Sequence, residues 1–417
     1  MAGDRLELSA PARWSKYVTR WESAPSPLRP TQLIEWLVDF GRRNPGHVLY
    51  PTSDDLAWLF AEYAGSLREF FHLYQPGSES LLRLLDKRSL KMSCDELNIP
   101  TPPTLFPESL ADALQGAKQL GYPVLLKPRT QVLQRGGGKG HIVRNDRELR
   151  SFYEQILAIG AHEPLIRRYL PGVHQPMLQG YREVAAERVY SISGFLSADG
   201  QIVVRAARKV LQRPRRVGVG ICFEAAPVDE QALSGVVRLC QKVGYYGVFE
   251  VEFLRHDQRL ELIDFNPRFY GQLAFDIGRE LPLPHLVWLG AQGRTAELAE
   301  AIARAQAFQG VDGLVYCNRF TFGLMLAMQS MSGRMSPAEV TRWREWLRRS
   351  SDDAKAVDPM YSPKDVAPGV VSAFREVCRA FRHPRDFYRQ VIVGGVLPFL
   401  FGSNAFQLLR AIPDLIG

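Results

Sequence analysis

A twenty-residue stretch, EVEFLRHDQRLELIDFNPRF at positions 250–269, constrains the fold of this chain more than any other. Apolar and polar residues alternate on both sides of the short polar segment RHDQ, which predicts two antiparallel strands joined by a turn. Glu250 and Glu252 then share one face of the first strand, and Asp264 and Asn266 share one face of the second. The turn brings Glu252 close to Asp264, so the stretch predicts two carboxylates and an amide clustered on one face of a sheet.

This oxygen-rich cluster indicates a metal site. Carboxylate and amide oxygens suit Mg²⁺, a hard cation that keeps water and phosphate oxygens among its ligands. Arg268 follows the second strand, where a transferring phosphoryl group would need positive charge. Acids on a sheet that merely faces solvent are the alternative. Asp264 stands among apolar and β-branched residues in LELIDFN, however, and a buried carboxylate needs a partner, which favours the metal site.

A glycine cluster with one lysine, LQRGGGKGHIVRND at 133–146, is the second informative stretch. Glycine allows a ligand to approach closely and leaves backbone amides free to face an anion, so a phosphate-covering loop and an ordinary hairpin tip both fit the pattern. The Walker A motif is excluded because Leu133 stands where its first glycine is required and Gly140 where Ser or Thr is required. His141 in place of a third glycine excludes the GxGxxG motif.

Composition places the chain among folded globular proteins. Its 417 residues are 46% hydrophobic and 23% charged, which allows two or three domains. The net charge of +8 is concentrated in clusters at 205–216 and 342–349. Neither cluster has interleaved aromatic residues or the fold signature of a nucleic-acid site, so no nucleic-acid partner is expected. The five scattered cysteines make no metal-binding spacing and predict reduced thiols in the cytoplasm.

Neither end of the chain predicts insertion into a membrane. The opening MAGDRLELSA lacks the apolar core of a signal peptide. The apolar run VIVGGVLPFLF at 391–401 is shorter than the roughly 18 residues that a transmembrane helix needs. It predicts a buried helix or packing arm, with a membrane-surface or protein contact as the alternative.

The remaining periodicities indicate helices alternating with strands. Helical patterns at 31–43 and 53–67, the latter with Ser53 as N-cap, flank a short strand at 47–51 and predict an α/β unit with parallel pairing. The stiff segment IPTPP ends this region. A strand is predicted at 164–170, and the pattern is mostly helical after the final strands.

Five motifs, in order along about half the chain, resemble those of the ATP-grasp enzymes. They are LLDKRSLK with Lys87, PVLLKPR with Lys127, RGGGKG, LIRRYLPG and VEFLRHDQRLELIDFNPRFYG. The segments HVLYPTSDDLAWLFAEY and DKRSLKMSCDELNIPTPPTLF are similar to the pre-ATP-grasp domain of a carboxylate–amine ligase group that includes the D-aspartate ligase-like members. The resemblance implies that the usual opening strand, glycine turn and helix of that domain are missing or rebuilt here.

The resemblance implies an α/β (α+β) protein with the ATP-grasp fold. Its expected parts are an N-terminal pre-ATP-grasp α/β domain at 1–105, an ATP-grasp domain at 106–295 with a lid subdomain at about 106–170, and a mostly helical C-terminal extension at 296–417.

The resemblance also implies how ATP would bind. Lys87 and Lys127 would contact the ATP phosphates, and Lys127 would also lie near the adenine and be catalytic. The other implied ATP-binding positions are Gly136, Gly137 and Gly138 over the triphosphate, the backbone of Arg168, Tyr169 and Leu170 at the adenine, and His174 near the ribose. Arg167 or Arg168, depending on register, replaces the usual acidic hinge residue, and His174 replaces a common glutamate.

The resemblance also implies which residues bind the metal ions. Glu252, Asp264 and Asn266 would hold one or two Mg²⁺ ions, with Glu250 as the alternative first-strand ligand if the register differs by two residues. Arg268 would be catalytic by stabilising the phosphoryl transition state. The basic cluster around Arg213 and Arg215 would recognise the donor carboxylate or the acylphosphate, with an ordinary solvated loop as the alternative, and Gly271 is a further candidate for substrate binding.

The activity implied by the resemblance is ligation of a carboxylate to an amine. The carboxylate would be activated as an acylphosphate with release of ADP, and the amine would then displace phosphate to form an amide or peptide bond. Two alternatives stay open: a nucleotide-binding regulatory or scaffolding protein without turnover, and an ATP-dependent modifier of a protein or lipid-linked acceptor. The expected partners are the two small-molecule substrates, and a homodimer is also open.

Overall fold

The computed structural model describes residues 2–3, 10–135, 140–159, 162–182, 189–213, 219–256, 259–308, 313–331, 335–349 and 356–382. The chain divides into two compact units, residues 24–313 and residues 1–23 with 314–417. The domain boundaries that the sequence suggests, at residues 105 and 295, remain predictions.

Helices and strands are numbered in chain order within the described residues. The helices are α1 (Pro30–Arg43), α2 (Asp54–Glu62), α3 (Ala64–Leu67), α4 (Ser78–Leu85), α5 (Lys87–Glu96), α6 (Leu110–Leu120), α7 (Asp146–Ile159), α8 (Pro164–Tyr169), α9 (Glu230–Val243), α10 (Leu273–Ile277), α11 (Leu283–Ala291), α12 (Thr295–Gln306), α13 (Arg319–Met331), α14 (Pro337–Arg349) and α15 (Ala367–Arg382). The strands are β1 (Ala2–Gly3), β2 (Trp21–Glu22), β3 (His47–Val48), β4 (Phe71–His72), β5 (Thr104–Leu105), β6 (Val124–Pro128), β7 (His141–Val143), β8 (Pro176–Gly180), β9 (Val189–Leu196), β10 (Ile202–Arg213), β11 (Val219–Ala226), β12 (Gly247–His256), β13 (Arg259–Asn266), β14 (Val315–Cys317) and β15 (Ala356–Val357). A 3-10 helix covers Pro11–Trp14.

An antiparallel sheet in the order β13-β12-β9-β10-β11 forms the centre of the larger unit. The strands β12 and β13 are the two that the alternating stretch predicts. Glu252 pairs with Asp264, as predicted, and Glu250 pairs with Asn266. Because directly opposed residues of an antiparallel pair point to the same side, these four polar side chains share one face of the sheet.

The other face of these strands belongs to the main core of the larger unit. Val251, Phe253 and Phe265 alternate with the polar residues and are almost completely buried. They lie in one hydrophobic cluster with Leu84 of α4 and Leu239 of α9. Burial of this apolar face fixes the strand register, because a slip of one residue would turn the phenylalanines outward.

The strand β13 carries one extra residue, a β-bulge, beside the polar cluster. Asp264 pairs with Glu252, but the next residue of β12, Phe253, pairs with Leu262, so Ile263 is left out of the register. The N–H of Leu262 donates to the carbonyl of Pro100 at 2.7 Å. Leu262 is therefore held on the core face.

A second antiparallel sheet, in the order β5-β8-β6-β7, is formed by the segment that contains the predicted lid. The helices α6 and α7 pack on it. Ala113 and Ala117 of α6 and Leu149 and Tyr153 of α7 are buried in one cluster with Leu126 of β6. The sheet presents the end of β6, and with it Lys127, to the central sheet.

The strand predicted at 164–170 is wrong, because Pro164–Tyr169 forms the helix α8. Proline fits the first turn of a helix, where its missing N–H has no intrahelical partner to lose. Arg167 and Arg168 lie in the last turn, at the negative end of the helix dipole. The strand beside β6 is instead β8.

The region before the second sheet follows the predicted α/β pattern. The strands β3 and β4 pair in parallel, with His47 opposite Phe71. Ser53 is the N-cap of α2, as predicted, and its hydroxyl accepts a hydrogen bond from the N–H of Leu56 at 3.2 Å. This cap fixes where the two acidic residues Asp54 and Asp55 begin the helix.

The described part of the smaller unit is mostly helical, as predicted for the C-terminal region. Phe322 of α13 packs edge-on against Trp343 and Trp346 of α14. Among the residues that the structure describes, no helix combines the length and apolar character needed to span a bilayer. The apolar run at 391–401 lies outside the described residues, so its predicted contacts remain predictions.

Candidate active site

A cavity of about 380 Å³ in the larger unit is lined by residues of both sheets and of the first turns of α2 and α5. The sequence-predicted residues that line it are Lys87, Lys127, Glu250, Glu252, Asp264, Asn266, Arg268 and Gly271. The structure thus brings the predicted metal ligands, both predicted lysines and the predicted catalytic arginine into one place.

The two central carboxylates each have a lysine partner. Lys87, the first residue of α5, makes an ion pair with Asp264. Lys209 on β10 donates from Nζ to Oε1 of Glu252 at 2.6 Å. The Lys209 side chain is only 6% exposed. Its buried ammonium depends on this carboxylate, because an unpaired buried charge is costly.

Opposite charges act on the pKa values of Asp264 and Lys209. Burial alone would raise the pKa of Asp264, but the charge and hydrogen bond of Lys87 and the charge of Lys127 hold it below its usual value. Burial alone would lower the pKa of Lys209, but the Glu252 carboxylate raises it above its usual value. Asp264 and Lys209 are therefore both charged at neutral pH.

Glu250 lies beside the two pairs in a different environment. Its Oε2 accepts a hydrogen bond from Nδ2 of Asn266 at 2.9 Å, and its Oε1 accepts one from Nε2 of Gln272. Burial, followed by the negative charge of Glu252, raises the pKa of Glu250 to about 7, while the charge of Lys209 acts the other way. Glu250 therefore gains or loses a proton near neutral pH.

The oxygen donors on this face fit a hard divalent cation. Glu252 and Asp264 lie directly opposite each other on neighbouring strands, and Asn266 adds an amide oxygen. Within the described ranges, no group of three or more His, Cys, Asp or Glu side chains is arranged to hold a metal ion. The candidate set is thus two carboxylates and an amide, and a bound cation would have to replace Lys87 and Lys209 at the carboxylates.

Arg268 is held at the edge of the cavity by contacts on three nitrogens. Its Nε donates to Oδ1 of Asp54 at 2.5 Å, Nη2 donates to Oδ1 of Asn266 at 2.9 Å, and Nη1 donates to the carbonyl of Phe269 at 3.0 Å. Burial alone would lower the pKa of Arg268, but Asp54 raises it. The guanidinium is therefore a fixed positive charge beside the predicted metal ligands.

Lys127 lies next to the last residue of β6 and lines the cavity. The Nζ atom donates to Oε1 of Gln179 at 3.2 Å. Burial, followed by the positive charge of Lys87, lowers the pKa of Lys127 to about 8, although Asp264 and Glu252 act the other way. An anion between the two ammonium groups would remove their repulsion, so this part of the cavity favours a negatively charged ligand.

A buried ion pair ties the two lysine-bearing segments together. Asp86 is fully buried and accepts hydrogen bonds from Nε of Arg129 and, at 2.8 Å, from its Nη2. It is also the N-cap of α5 and accepts from the N–H of Ser89 at 3.1 Å. The N–H of Lys87 donates to the carbonyl of Arg129 at 3.0 Å. These contacts fix the start of α5 to the end of β6 and hold Lys87 near Lys127.

The cavity continues along the end of β8. Gln179 and Gly180 line it, as do Tyr181 and Arg182, which follow the strand. The N–H of Gly180 donates to the carbonyl of Pro103 at 2.9 Å, which holds this segment against the chain before β5. Apolar side chains also line the cavity, among them Leu125, Leu254 and the bulge residue Ile263. This combination of extended backbone and apolar surface suits a flat ring.

The residues predicted to bind the adenine and the ribose do not line this cavity. Arg168 and Tyr169 are exposed, and the Tyr169 hydroxyl donates to Glu62. Leu170 is buried in the main core, and His174 is exposed. The strand that pairs with β6 is β8, whereas residues 164–169 form a helix. The segment that lines the cavity beside Lys127 is therefore Gln179–Arg182, which lies after the predicted one in the chain.

Several predicted positions stay untested. Gly136, Gly137, Gly138 and Arg215 lie outside the described residues. Arg213 is the last residue of β10, where its backbone pairs with Val219. The glycine lid and the two substrate-binding arginines therefore remain predictions.

Sequence reasoning missed Lys209, Asp54, Gln179 and Gln272, all of which line the cavity. A signal for Lys209 is present in RAARKVLQR, because strand alternation places Lys209 on the same face as the buried Ala207. A lysine at a buried strand position predicts an acidic partner. The other three have no comparable local signal, since each reaches the cavity only through tertiary packing.

Comparison with known proteins identifies the fold. The family model for the carbamoyl-phosphate synthase L chain, ATP binding domain, matches residues 86–187. The biotin carboxylase domain dimer of Hydrogenobacter thermophilus 2-oxoglutarate carboxylase, solved with MgADP, ADP and bicarbonate, is 19% identical over 70% of this chain and 69% of that chain, with a TM-score of 0.54. The Campylobacter jejuni biotin carboxylase–β,γ-ATP complex is 16% identical over 70% and 65%, with a TM-score of 0.54. The Staphylococcus aureus N5-carboxyaminoimidazole synthetase with ADP is 16% identical over 69% and 70%, with a TM-score of 0.52.

The chain has the ATP-grasp fold. In this ATP-grasp chain the matched span begins at Asp86 and includes both Lys87 and Lys127, while the β12–β13 hairpin lies beyond it. Identities of 16–19% establish the fold alone, so the activity has to be inferred from the chemistry of the cavity.

Proposed function

We propose that this ATP-grasp chain is an ATP-dependent ligase, which activates a carboxylate as an acylphosphate with release of ADP and joins it to an amine as an amide or peptide bond. The observation that carries the proposal is that three lysines, two arginines, four carboxylates and the amide of Asn266 line a single cavity. Such a set offers positive charge to phosphate oxygens and oxygen ligands to a hard cation. Phosphoryl transfer depends mainly on these two contributions.

The nucleotide would lie along β6 and β8. Lys87 and Lys127 would hold its phosphates, because their two ammonium groups repel each other until an anion lies between them. The adenine would lie along Gln179–Arg182, in place of the segment that the sequence motif suggests. Leu254 and Ile263 would supply an apolar surface for the ring.

Glu252, Asp264 and Asn266 would hold one or two Mg²⁺ ions, which when bound neutralise phosphate charge and orient the phosphoryl group. Lys87 and Lys209, no longer needed at the carboxylates, would then be able to face the phosphate oxygens. The number of positive charges around the phosphates would rise without any buried carboxylate losing its partner.

Arg268 would act on the reacting carboxylate or phosphoryl group. Its guanidinium borders the same face as the metal ligands and cannot lose its charge at physiological pH. Gly271, which also lines the cavity, and the two arginines of the β10–β11 region stay candidates for substrate binding. A homodimer and a cytoplasmic location remain predictions, and light scattering of the purified chain would test the former.

The test is a phosphorus NMR spectrum of the purified protein with Mg²⁺, ATP and a deproteinised metabolite extract. The expected products are ADP and inorganic phosphate, formed by the wild-type protein and lost in Asp264→Ala. The matched control is Asp39→Ala, which removes an exposed aspartate of α1 that pairs only with Arg43 among the described contacts.

The product pattern separates the alternatives. AMP with pyrophosphate would mean adenylation and would contradict the acylphosphate route. Unchanged ATP together with measurable ADP binding would support a nucleotide-binding protein without turnover. Activity that appears only with a protein or lipid-linked acceptor would move the amine from a small molecule to a macromolecule.

A further inference from the structure

We propose that Asp54, at the start of α2, is a positioning residue that aims Arg268 at the reacting group. The inference rests on the proposed function, because Arg268 matters for turnover only if a phosphoryl or carboxylate group reacts beside it. Asp54 and Arg268 are 214 positions apart in the chain and both line the cavity. Asp54 lies outside the five ATP-grasp motifs, in the segment HVLYPTSDDLAWLFAEY that resembles the pre-ATP-grasp domain.

The ion pair of Asp54 and Arg268 is positioned to hold the guanidinium in one orientation. The Asp54 and Arg268 side chains are 18% and 20% exposed, so the contact is largely withdrawn from water. Asp54 is the first residue of α2, directly after the N-cap Ser53. The positive end of the helix dipole lies at this position and attracts a negatively charged side chain. The charge that holds Arg268 is therefore itself stabilised by the fold.

The hydrogen bonds of Arg268 show which of its N–H groups remain for a ligand. A guanidinium carries five N–H groups, one on Nε and two on each terminal nitrogen. The contacts within the described residues use Nε for Asp54 and one N–H each of Nη2 and Nη1 for Asn266 and Phe269. One N–H on each terminal nitrogen is then left for a ligand. Two such donors match two oxygens of a carboxylate or phosphoryl group.

Asp54 is the partner that decides the orientation. The other two acceptors, Asn266 and Phe269, lie within two residues of Arg268 on the same strand end, so they move with it. Asp54 comes from a separate element, and a backbone hydrogen bond from Phe269 to the carbonyl of Pro51, at 3.1 Å, holds the two segments side by side. Without the Asp54 charge, Arg268 would be free to turn toward Asp264 or Glu250, both of which act on it electrostatically.

The experiment is a mutant cycle between Asp54→Asn and Arg268→Gln, followed by kcat and KM for ATP. Asparagine keeps the shape of aspartate and removes only its charge. We expect Asp54→Asn to lower kcat by about tenfold to a hundredfold with KM for ATP changed by less than about twofold, since misplacing a catalytic group affects mainly the transition state. In the Arg268→Gln background the same substitution should cause no further loss.

The matched control is Asp55→Asn. Asp55 follows Asp54 in the same helical turn, and its Oδ1 accepts from the N–H of Leu133 at 2.7 Å, which an asparagine oxygen can still do. Both variants lose one negative charge from the start of α2. Thermal melting of each variant shows whether the fold is intact. Equal losses of kcat in the two variants, or losses from Asp54→Asn and Arg268→Gln that multiply, would overturn the positioning role.

A binding measurement separates this inference from the proposed function. Calorimetry with ADP alone, and with ADP, Mg²⁺ and aluminium fluoride as an analogue of the transferring phosphoryl group, does not require a known substrate. The inference predicts that Asp54→Asn weakens only the fluoride complex. If the wild-type protein shows neither turnover nor binding of this complex, the proposed function fails and the inference fails with it. If the wild-type protein binds it and Asp54→Asn binds it equally well, the inference alone fails.

Discussion

Replacing Lys87 by methionine should strengthen the binding of a divalent cation in the absence of nucleotide. The lysine and the cation compete for Asp264, because the Lys87 ammonium pairs with the carboxylate that would become a metal ligand. Methionine has a similar length and no charge. Loss of a phosphate-binding lysine would ordinarily be expected only to weaken ligand binding, so a gain in metal affinity is a distinctive result.

The size of the effect follows from the exposure of the pair. Hydrogen bonds to charged groups contribute about 1.5–3 kcal/mol, and exposed ion pairs about 0.2–1 kcal/mol. The Lys87 side chain is 18% exposed and that of Asp264 is 37% exposed, which places the pair between these cases. A competition of about 1 kcal/mol corresponds to an increase of about fivefold in metal affinity. Affinity for ADP should fall in the same variant.

Mn²⁺ titration followed by electron paramagnetic resonance measures the free ion directly. The matched control is Lys91→Met, which removes another lysine of α5 whose partner, Asp95, lies outside the cavity. Lys91→Met should bind Mn²⁺ like the wild-type protein. Unchanged or weaker Mn²⁺ binding in Lys87→Met, or an equal gain in Lys91→Met, would refute the competition between lysine and metal.

Three further predictions concern the surroundings of the lysines. Because the pKa of Lys127 is lowered to about 8, its positive charge is present below that pH and lost above it. The affinity for ADP, measured by calorimetry, should therefore fall as the pH rises through about 8. This fall should be absent in Lys127→Arg, since arginine keeps its charge. Breaking the buried ion pair of Asp86 and Arg129 with Asp86→Asn should lower the free energy of unfolding, measured in urea, by about 3 kcal/mol. The double variant with Arg129→Gln should lose less stability than the sum of the two single variants. Gln179→Leu should weaken ADP binding, whereas His174→Ala should leave it unchanged.

The sequence was most informative where local pattern and burial agree. The alternation in β12 and β13 predicts their pairing because one face is polar and the other is buried, which leaves a single acceptable register. The lysine motifs lie at element boundaries with local signals, since Lys87 follows an N-capping aspartate and Lys127 ends an apolar strand. In both cases the local sequence was enough to predict where these residues lie.

The strand beside β6 was not predicted correctly because two stretches compete for that position. PLIRRYL looks like a strand, whereas PMLQG is short and lacks β-branched residues. Tertiary packing decides between them: β8 completes the second sheet beside β6, and 164–169 closes into a helix. Asp54 could not be found for a similar reason, since its contact with Arg268 joins segments 214 positions apart.

The bulge at Ile263 makes the β12–β13 hairpin a ladder with one inserted residue. In an unbroken strand Ile263 and Asp264 would point to opposite sides, yet both line the cavity. Deleting Ile263 would leave Leu262 opposite Phe253 and Asp264 opposite Glu252, so every other pair would stay as it is. The carboxylates and part of the apolar surface beside them are therefore separable. Deleting Ile263 would take its side chain out of the cavity and leave Leu125 and Leu254 there. A protein engineer can thus alter the apolar side of this cavity without moving its carboxylates.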